Sequence, residues 1–430
     1  MRYQHLPADL YLRNRRAFAE AMVPRSLAVF FANDIYPTGA DGTMPFRQAP
    51  DLFWLTGSDQ EETVLLLFPD AANPADREIL FTLETSEELA VWEGAKWTRE
   101  EARARTGIGQ IQWTNAFERT LQRLLAEADV LYLNDNPHAR ARVVVETRTA
   151  RENAALRAKY PNHRIERSAP ILYGLRALKS VEEVDQMRRA ADITRAGFER
   201  VLQFIRPGVL EYEIEAEFLH EFVRRGSRGF AYTPIVGSGP NACVLHYIEN
   251  ALECRDGDVV LIDVGAEYGG YASDMTRCVP VSGRFTSRQR QVYDAVLRVM
   301  RGAMPLLRPG VMLADYHQQV GELMTKELLD LGLISKEEVA AANPAWPAYK
   351  KYFMHGTSHF LGLDVHDVGH WHLPVQAGMV FTVEPGIYIR EEGLGIRLEN
   401  NILITEDGWV DLMADIPVDA EAVEAAMQAR

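Results

Sequence analysis

The chain has 430 residues and a formal net charge of −15, which argues against nucleic acids and anionic membranes as partners because both would repel it. Hydrophobic residues make up 47% and charged residues 25% of the sequence, as in an ordinary globular protein. The length allows two or three domains.

No stretch approaches the ~18 to 20 apolar residues of a membrane span, and the first residues lack the apolar segment of a signal peptide. The three cysteines, Cys243, Cys254 and Cys278, show no CxxC spacing. A sparse, odd set of this kind indicates a reducing compartment. We therefore expect a cytoplasmic protein without disulfides.

The first third of the chain alternates strand and helix patterns. Short apolar runs bounded by turn residues are typical of buried strands, and they occur at 26–32, 63–68, 78–83 and 130–134. Residues 99–105 and 115–127 have helical patterns. We expect an α/β domain of about 170 residues here. It contains no cluster of candidate catalytic groups.

A domain boundary is expected near 168–179, and beyond it one arrangement of helices occurs twice. A capping-box sequence at 180–183 opens a long helix that ends at Arg-Pro-Gly-Val (206–209), and a second helix follows to Gly226. Later, a helix from about residue 287 ends at Arg-Pro-Gly-Val (308–311), and another precedes Gly332.

The strand patterns repeat as well. GDVVLIDVG (257–265) and GMVFTVEPG (378–386) each place a carboxylate, Asp263 or Glu384, six residues after the leading glycine. Asp274 follows the first carboxylate and Glu399 the second. We predict an internal duplication in which each half supplies two carboxylates to one site.

The first pair of carboxylates fits a tight hairpin. Gly269-Gly270 supplies the positive φ angles of a two-residue turn. With this turn, Asp263 pairs with Thr276 and Asp274 with Gly265, so the two aspartates become diagonal neighbours on one face. Such a pair would repel unless a cation lies between its members.

The second half adds imidazole. Five of the eleven histidines lie between His355 and His372, and Glu384 and Glu399 follow in apolar runs. Four carboxylates balance two divalent cations, and a carboxylate-rich site favours Mn²⁺, with Co²⁺ or Zn²⁺ compatible. Two ions ~3.5 to 4 Å apart would polarise a carbonyl and hold a bridging hydroxide. These residues indicate metal-assisted amide hydrolysis.

Several motifs in this order resemble the pita-bread metallopeptidases, most closely their aminopeptidase P branch. The motifs are FRQAPDLFWLTG (46–57), GSGPNACVLHY (237–247), DVG and SDMTR (263–277), HGTSHFLGLDVHD (355–367), TVEPGIY (382–388) and RLENN (397–401). The resemblance covers nearly the whole chain. It implies an α/β N-terminal domain (1–174) and an α+β pita-bread catalytic domain (175–430) with a pseudo-two-fold duplication.

The resemblance also implies roles for single residues. The implied metal ligands are Asp263, Asp274, His359, Glu384 and Glu399, with Asp274 and Glu399 bridging two ions. The implied catalytic residues are the substrate-side histidines His246, His355 and His366, the proton shuttle Glu384, and Arg397 beside the bridging glutamate. Tyr388 is implied as a hydrogen-bonding tyrosine, and Asp367 as a residue that orients His366 or another group.

Other residues have no such counterpart or depart from the pattern. We interpret His370 and His372 as surface histidines and Cys243 as a packed structural cysteine. Trp92 aligns loosely with a tryptophan that reaches a neighbouring subunit, and a homo-oligomer, dimer or tetramer, is expected. The segment after Glu384 is short, and Asn400-Asn401 stands where acidic residues often follow the bridging glutamate.

The implied activity is that of a Xaa-Pro aminopeptidase acting on peptides with proline in the second position. A prolidase, which cleaves Xaa-Pro dipeptides, has the same fold and metal site and is the nearest alternative. A metal-free creatinase-type enzyme or binding protein would lack metal ligands, and all five are present. Methionine aminopeptidases usually lack such an N-terminal domain.

Overall fold

The computed structural model describes residues 3–138, 140–141 and 144–429. The chain divides into two compact units, His5–Arg176 and Ala177–Arg430, the second including Met1–Gln4. None of the helices in the described part of the chain is both long and apolar enough to span a membrane.

The His5–Arg176 unit is built on a mixed six-stranded sheet with the order β4-β3-β2-β1-β5-β6. Its strands are β1 (Ser26–Phe31), β2 (Val64–Leu67), β3 (Glu78–Thr82), β4 (Gln110–Trp113), β5 (Val130–Leu133) and β6 (Arg164–Arg167). Its helices are α1 (Ala8–Ala21), α2 (Pro50–Thr56), α3 (Glu87–Glu93), α4 (Arg99–Thr106), α5 (Phe117–Leu125), α6 (Arg148–Lys159) and α7 (Ala169–Ala177). The four predicted strands and two predicted helices correspond to β1, β2, β3, β5, α4 and α5.

The second unit carries two helix pairs and two three-stranded sheets, β11-β8-β7 and β12-β15-β16. Its helices are α8 (Val181–Phe204), α9 (Glu211–Arg224), α10 (Ser287–Ala303), α11 (Leu313–Asp330), α12 (Lys336–Ala341) and α13 (Ala420–Gln428). Its strands are β7 (Ile235–Ser238), β8 (Val259–Val264), β9 (Glu267–Tyr268), β10 (Tyr271–Ala272), β11 (Met275–Pro280), β12 (Val380–Val383), β13 (Gly386–Ile389), β14 (Leu394–Arg397), β15 (Asn400–Thr405) and β16 (Gly408–Asp411).

The two halves of this unit repeat the same backbone hydrogen bonds at their Arg-Pro-Gly-Val turns. The bonds run from Gly208 N to Cys254 O (3.0 Å) and Cys254 N to Val209 O (2.8 Å), and from Gly310 N to Val375 O and Val375 N to Val311 O (2.8 Å each). Both partner residues, Cys254 and Val375, stand three positions before the glycine that precedes a central strand. These glycines, Gly257 and Gly378, have φ of 87° and 90°. The matching register supports the predicted duplication.

The hairpin between Asp263 and Asp274 forms as predicted. Gly269 and Gly270 have φ of 62° and 89° and connect β9 to β10. Asp263 pairs with Thr276 in the antiparallel β8–β11 ladder. The hairpin is closed so tightly at Gly265 that a Cβ there would lie 1.8 Å from the carbonyl oxygen of Ser273. A side chain at that position is therefore excluded.

We expect Gly265→Ala to lower the free energy of unfolding by about 3 kcal/mol, because the added methyl group forces the two strands apart. Urea denaturation followed by circular dichroism measures the change. Gly39→Ala is the control, since a Cβ at Gly39 meets no atom within 4 Å. Equal stabilities of the two variants would contradict the close packing of this hairpin.

Candidate metal centre

Strand ends in the second unit bring the predicted carboxylates together. Asp263 lies on β8 and Asp274 directly precedes β11, while Glu384 directly follows β12 and Glu399 lies between β14 and β15. Asp274, His359 and Glu399 are all buried, and each offers a ligand atom within 4.8 Å of those of the other two. Buried acids and imidazole at this spacing are a ligand set for a divalent cation.

The imidazole of His359 is held in the orientation of a metal ligand. Its Nδ1 donates to the carbonyl oxygen of Phe360 (2.9 Å), which leaves Nε2 with a free lone pair. Nε2 lies 3.5 Å from Asp274 Oδ2 and 3.6 Å from Glu384 Oε1. Nε2 therefore faces two carboxylates, an arrangement that a cation between the three groups would stabilise.

Tyr232 joins the first pair of carboxylates. Its Oη lies 2.5 Å from Asp263 Oδ1 and 2.6 Å from Asp274 Oδ1. One hydroxyl proton cannot serve both acids at once. Sequence reasoning missed Tyr232, because a single tyrosine before an apolar strand has no distinctive spacing.

The site carries an excess of negative charge. Burial, together with repulsion from neighbouring acids, raises the pKa of Asp263 and raises that of Glu399 well above its ordinary value. The same causes raise the pKa of Glu384 to about 7. For His359, burial alone would lower the pKa, but Asp274 and Glu384 raise it. The buried acids Asp274 and Glu399 with the imidazole of His359 are a donor set that suits a divalent cation, so the residues fit a metal site.

Arg397 connects the carboxylates to the outer residues. Its Nη2 donates to Asp263 Oδ2 (2.6 Å), its Nε to Thr276 Oγ1 (3.2 Å) and its Nη1 to Tyr388 Oη (2.8 Å). Thr276 in turn donates to Glu399 Oε2 (2.6 Å). One guanidinium therefore fixes groups on both halves of the duplicated unit.

His355 is the end of this network. Its Nδ1 lies 2.8 Å from the carbonyl oxygen of Gly356 and its Nε2 lies 2.8 Å from Tyr388 Oη. Burial, with Arg397 nearby, lowers the pKa of His355 to about 3. The ring is neutral with both nitrogens engaged, so it can donate to a substrate only after one of these bonds breaks.

The remaining predicted residues differ in their contacts, and His366 lies against a predicted metal ligand. The ring of His366 stands edge-on to that of His359, with centroids 4.4 Å apart, and His246 is exposed. Asp367 pairs with Lys179 at 3.0 Å in a fully buried contact. His370 and His372 lie 5.4 Å apart, ring to ring, with His372 exposed.

Cys243 was predicted to be a packed structural cysteine, and Trp92 to align with a tryptophan that reaches a neighbouring subunit. Burial raises the pKa of Cys243 to about 11, so its side chain stays a protonated thiol at neutral pH. Trp92 is 83% exposed on α3 of the other unit. Neither observation adds a group to the metal centre.

Comparisons with known proteins agree with this geometry. Residues 185–406 match the model of metallopeptidase family M24, and residues 11–132 match that of the aminopeptidase P N-terminal domain. The chain is 37% identical to Xaa-Pro aminopeptidase from Escherichia coli K12, over 97% of each chain.

This protein belongs to metallopeptidase family M24. Its fold is similar to that of zinc-substituted E. coli aminopeptidase P in complex with product (TM-score 0.87, 36% identity, 99% of each chain). It is also similar to proline aminopeptidase P II from Yersinia pestis (TM-score 0.87, 35% identity, 99% of this chain and 100% of that one). The expected aminopeptidase P-type N-terminal domain and pita-bread catalytic domain are confirmed.

In this M24 protein the Asn400-Asn401 pair has a structural explanation. Asn401 Oδ1 accepts from the backbone N–H of Asp274 (3.1 Å), and its Nδ2 donates to the carbonyl oxygen of Asp274 (2.6 Å). An amide can satisfy both groups, whereas a carboxylate would place an acceptor against the carbonyl. Asn401 therefore fixes the backbone of Asp274.

We expect Asn401→Asp to weaken divalent-metal binding by about 10- to 100-fold, because the new carboxylate repels the carbonyl oxygen of Asp274 and shifts this residue. Titration calorimetry with Mn²⁺ on the metal-free protein measures the affinity.

The matched control is Asn14→Asp, which removes a comparable buried donation, from Asn14 Nδ2 to the carbonyl oxygen of Trp54 (2.9 Å), in the other unit. Unchanged Mn²⁺ affinity in Asn401→Asp would contradict this role.

Proposed function

We propose that this protein is a metal-dependent exopeptidase that releases the N-terminal residue from peptides whose second residue is proline. The buried cluster of Asp274, His359 and Glu399 carries the proposal, since such a ligand set supports metal-assisted hydrolysis. Full-length similarity to a protein named Xaa-Pro aminopeptidase supports the substrate class.

We assign the cofactor as two divalent ions, with Mn²⁺ the first choice because most ligands are carboxylates. Asp263, Asp274, His359, Glu384 and Glu399 would hold them, with Asp274 and Glu399 in the bridging positions. Such a metal pair, when bound, supplies a Lewis acid for the scissile carbonyl and an attacking hydroxide at neutral pH. The position of Tyr232 Oη between two of these acids supports a paired site.

Side chains of this protein would transfer the proton to the leaving nitrogen and donate hydrogen bonds to the substrate. The Xaa-Pro bond is a tertiary amide, so the proline nitrogen must gain a proton as it leaves. We assign this transfer to Glu384, a carboxylate that directly follows β12 beside His359. His246 and His366 are accessible enough to donate to the substrate carbonyl. Burial, with Arg397 nearby, keeps His355 neutral.

The finer assignments are part of the same proposal. We propose domains at 1–174 and 175–430, a homo-oligomer (dimer or tetramer) and a cytoplasmic location. The exposure of Val91 (80%) and Trp92 (83%) supports a subunit contact on α3. The three cysteines are free and buried, which agrees with a reducing compartment.

Chelation should abolish turnover of a Xaa-Pro-Pro tripeptide, and Mn²⁺ should restore it. We expect two metal ions per chain by mass spectrometry, and both metal and activity should be lost in Asp274→Ala. Asp294→Ala, which removes only an ion pair with Arg290 within α10 (2.8 Å), is the control. A chain that takes up no divalent metal, with Asp274→Ala still active, would rule out the dinuclear model.

Peptide length separates the aminopeptidase from a prolidase. We expect kcat/KM for Xaa-Pro-Pro to exceed that for the Xaa-Pro dipeptide by at least about tenfold, because an aminopeptidase leaves room beyond proline. Release of the first residue is measured by chromatography. Cleavage of dipeptides alone would make the protein a prolidase.

A further inference from the structure

A carboxylate outside the metal centre organises the segment that carries His246. Glu211, the first residue of α9, is 0% exposed, and its two oxygens accept four hydrogen bonds. The donors are Ser238 N (2.7 Å) and Asn241 Nδ2 (3.1 Å) to Oε1, and Tyr247 Oη (2.8 Å) and Leu252 N (2.9 Å) to Oε2. All four lie in residues 238–252, which we call the His246 loop.

These bonds use the full capacity of the carboxylate. An ionised carboxylate has about four acceptor sites, and the four donors of the His246 loop occupy them. In the described part of the chain, no lysine or arginine pairs with Glu211. A buried charge without a counterion is stabilised by its hydrogen bonds alone. The shape of the loop and the charge of Glu211 therefore depend on each other.

The His246 loop lies against the strand that carries Arg397. A Cβ on Gly395, in β14, would come within 2.1 Å of the carbonyl oxygen of Ala242. The loop is thus packed against β14, the strand that ends at Arg397.

The side chain of His246 has no hydrogen bond within the part of the chain that the structure covers. It is exposed, whereas its neighbour Tyr247 is 9% exposed and bonded to Glu211. The hydroxyl of Tyr247 also accepts from the backbone N–H of Ala251 (3.3 Å). The position of the imidazole is consequently determined by the backbone next to it.

We propose that Glu211 is a positioning residue for His246, acting through Tyr247 and the His246 loop. The inference rests on the proposed function, in which His246 contacts the substrate. It predicts that an isosteric change at Glu211, far from the metal ligands in sequence, lowers activity because the imidazole moves.

Two variants test this inference. Tyr247→Phe removes one hydroxyl and should lower kcat/KM on Xaa-Pro-Pro by about 10-fold. Glu211→Gln leaves two of the four donors facing an amide NH₂ and should lower kcat/KM by about 100-fold, the scale of a misplacement near 1 Å. The Mn²⁺ content should be that of the unsubstituted chain in both. In the His246→Ala background each change should have less than about a twofold further effect, because it acts through His246.

Controls separate positioning from loss of stability. Tyr293→Phe removes another buried hydroxyl, which donates to Val418 O (2.8 Å). Glu213→Gln alters a charge in the same turn of α9, where its carboxylate caps Leu210 N (2.8 Å). Both should retain kcat/KM within about twofold.

Wild-type kcat/KM in Tyr247→Phe would overturn the inference while leaving the proposed function intact. The same holds if the loss of kcat/KM in a double variant equals the product of the losses in His246→Ala and in the other single variant. If Glu211→Gln fails to fold, Tyr247→Phe still decides. Wild-type kcat/KM in His246→Ala itself would instead overturn the assigned role of His246, and the inference with it.

Discussion

Mutual repulsion of buried carboxylates is the constraint on which this structure depends. Burial and neighbouring acids raise the pKa of Asp263, Glu384 and Glu399, which means that folding brings together groups that would otherwise separate or take up protons. The chain holds them by placing each at or beside a strand end. Arg397 and Tyr232 both donate hydrogen bonds to Asp263. Arg397 contributes only one positive charge, which is fewer than the number of carboxylates.

The two halves of the duplicated unit support their histidine-bearing segments with chemically different side chains. The seventh residue after the glycine of each Arg-Pro-Gly-Val turn lies on the second helix of its half and is Glu215 or His317. Glu215 accepts from Asn250 in the His246 loop (2.9 Å), and His317 Nδ1 accepts from the backbone N–H of Thr357 (3.4 Å). Burial lowers the pKa of His317 to about 4, so it remains a neutral acceptor. Equivalent positions therefore support the two histidine-bearing segments with a charged and an uncharged acceptor.

The extent to which the sequence predicted the structure follows from the range of the contacts. The hairpin around Gly269-Gly270 was predictable because its register depends on neighbouring residues alone. Strand β6 was not, since RIER is polar and partly exposed and lacks the apolar run of a buried strand. Within the centre, the carboxylates could be selected by residue type. Tyr232 in the centre and Glu211 outside it could not, because their roles arise from partners 27 to 42 residues away.

Asn400 and Asn401 illustrate how a departure from a family pattern can follow from charge. Asn400 Oδ1 accepts from Arg277 Nη2 (2.7 Å), and its Nδ2 donates to Asp411 Oδ2 (2.6 Å). Arg277 also donates to the carbonyl oxygen of Glu399 (2.7 Å), so this guanidinium, which is 0% exposed, fixes the backbone of the glutamate. Acids at both positions would add two negative charges beside carboxylates that already repel each other. The amide of Asn401 keeps its hydrogen bonds to the backbone of Asp274. That of Asn400 keeps those to Arg277 and Asp411. Neither amide adds negative charge to the centre.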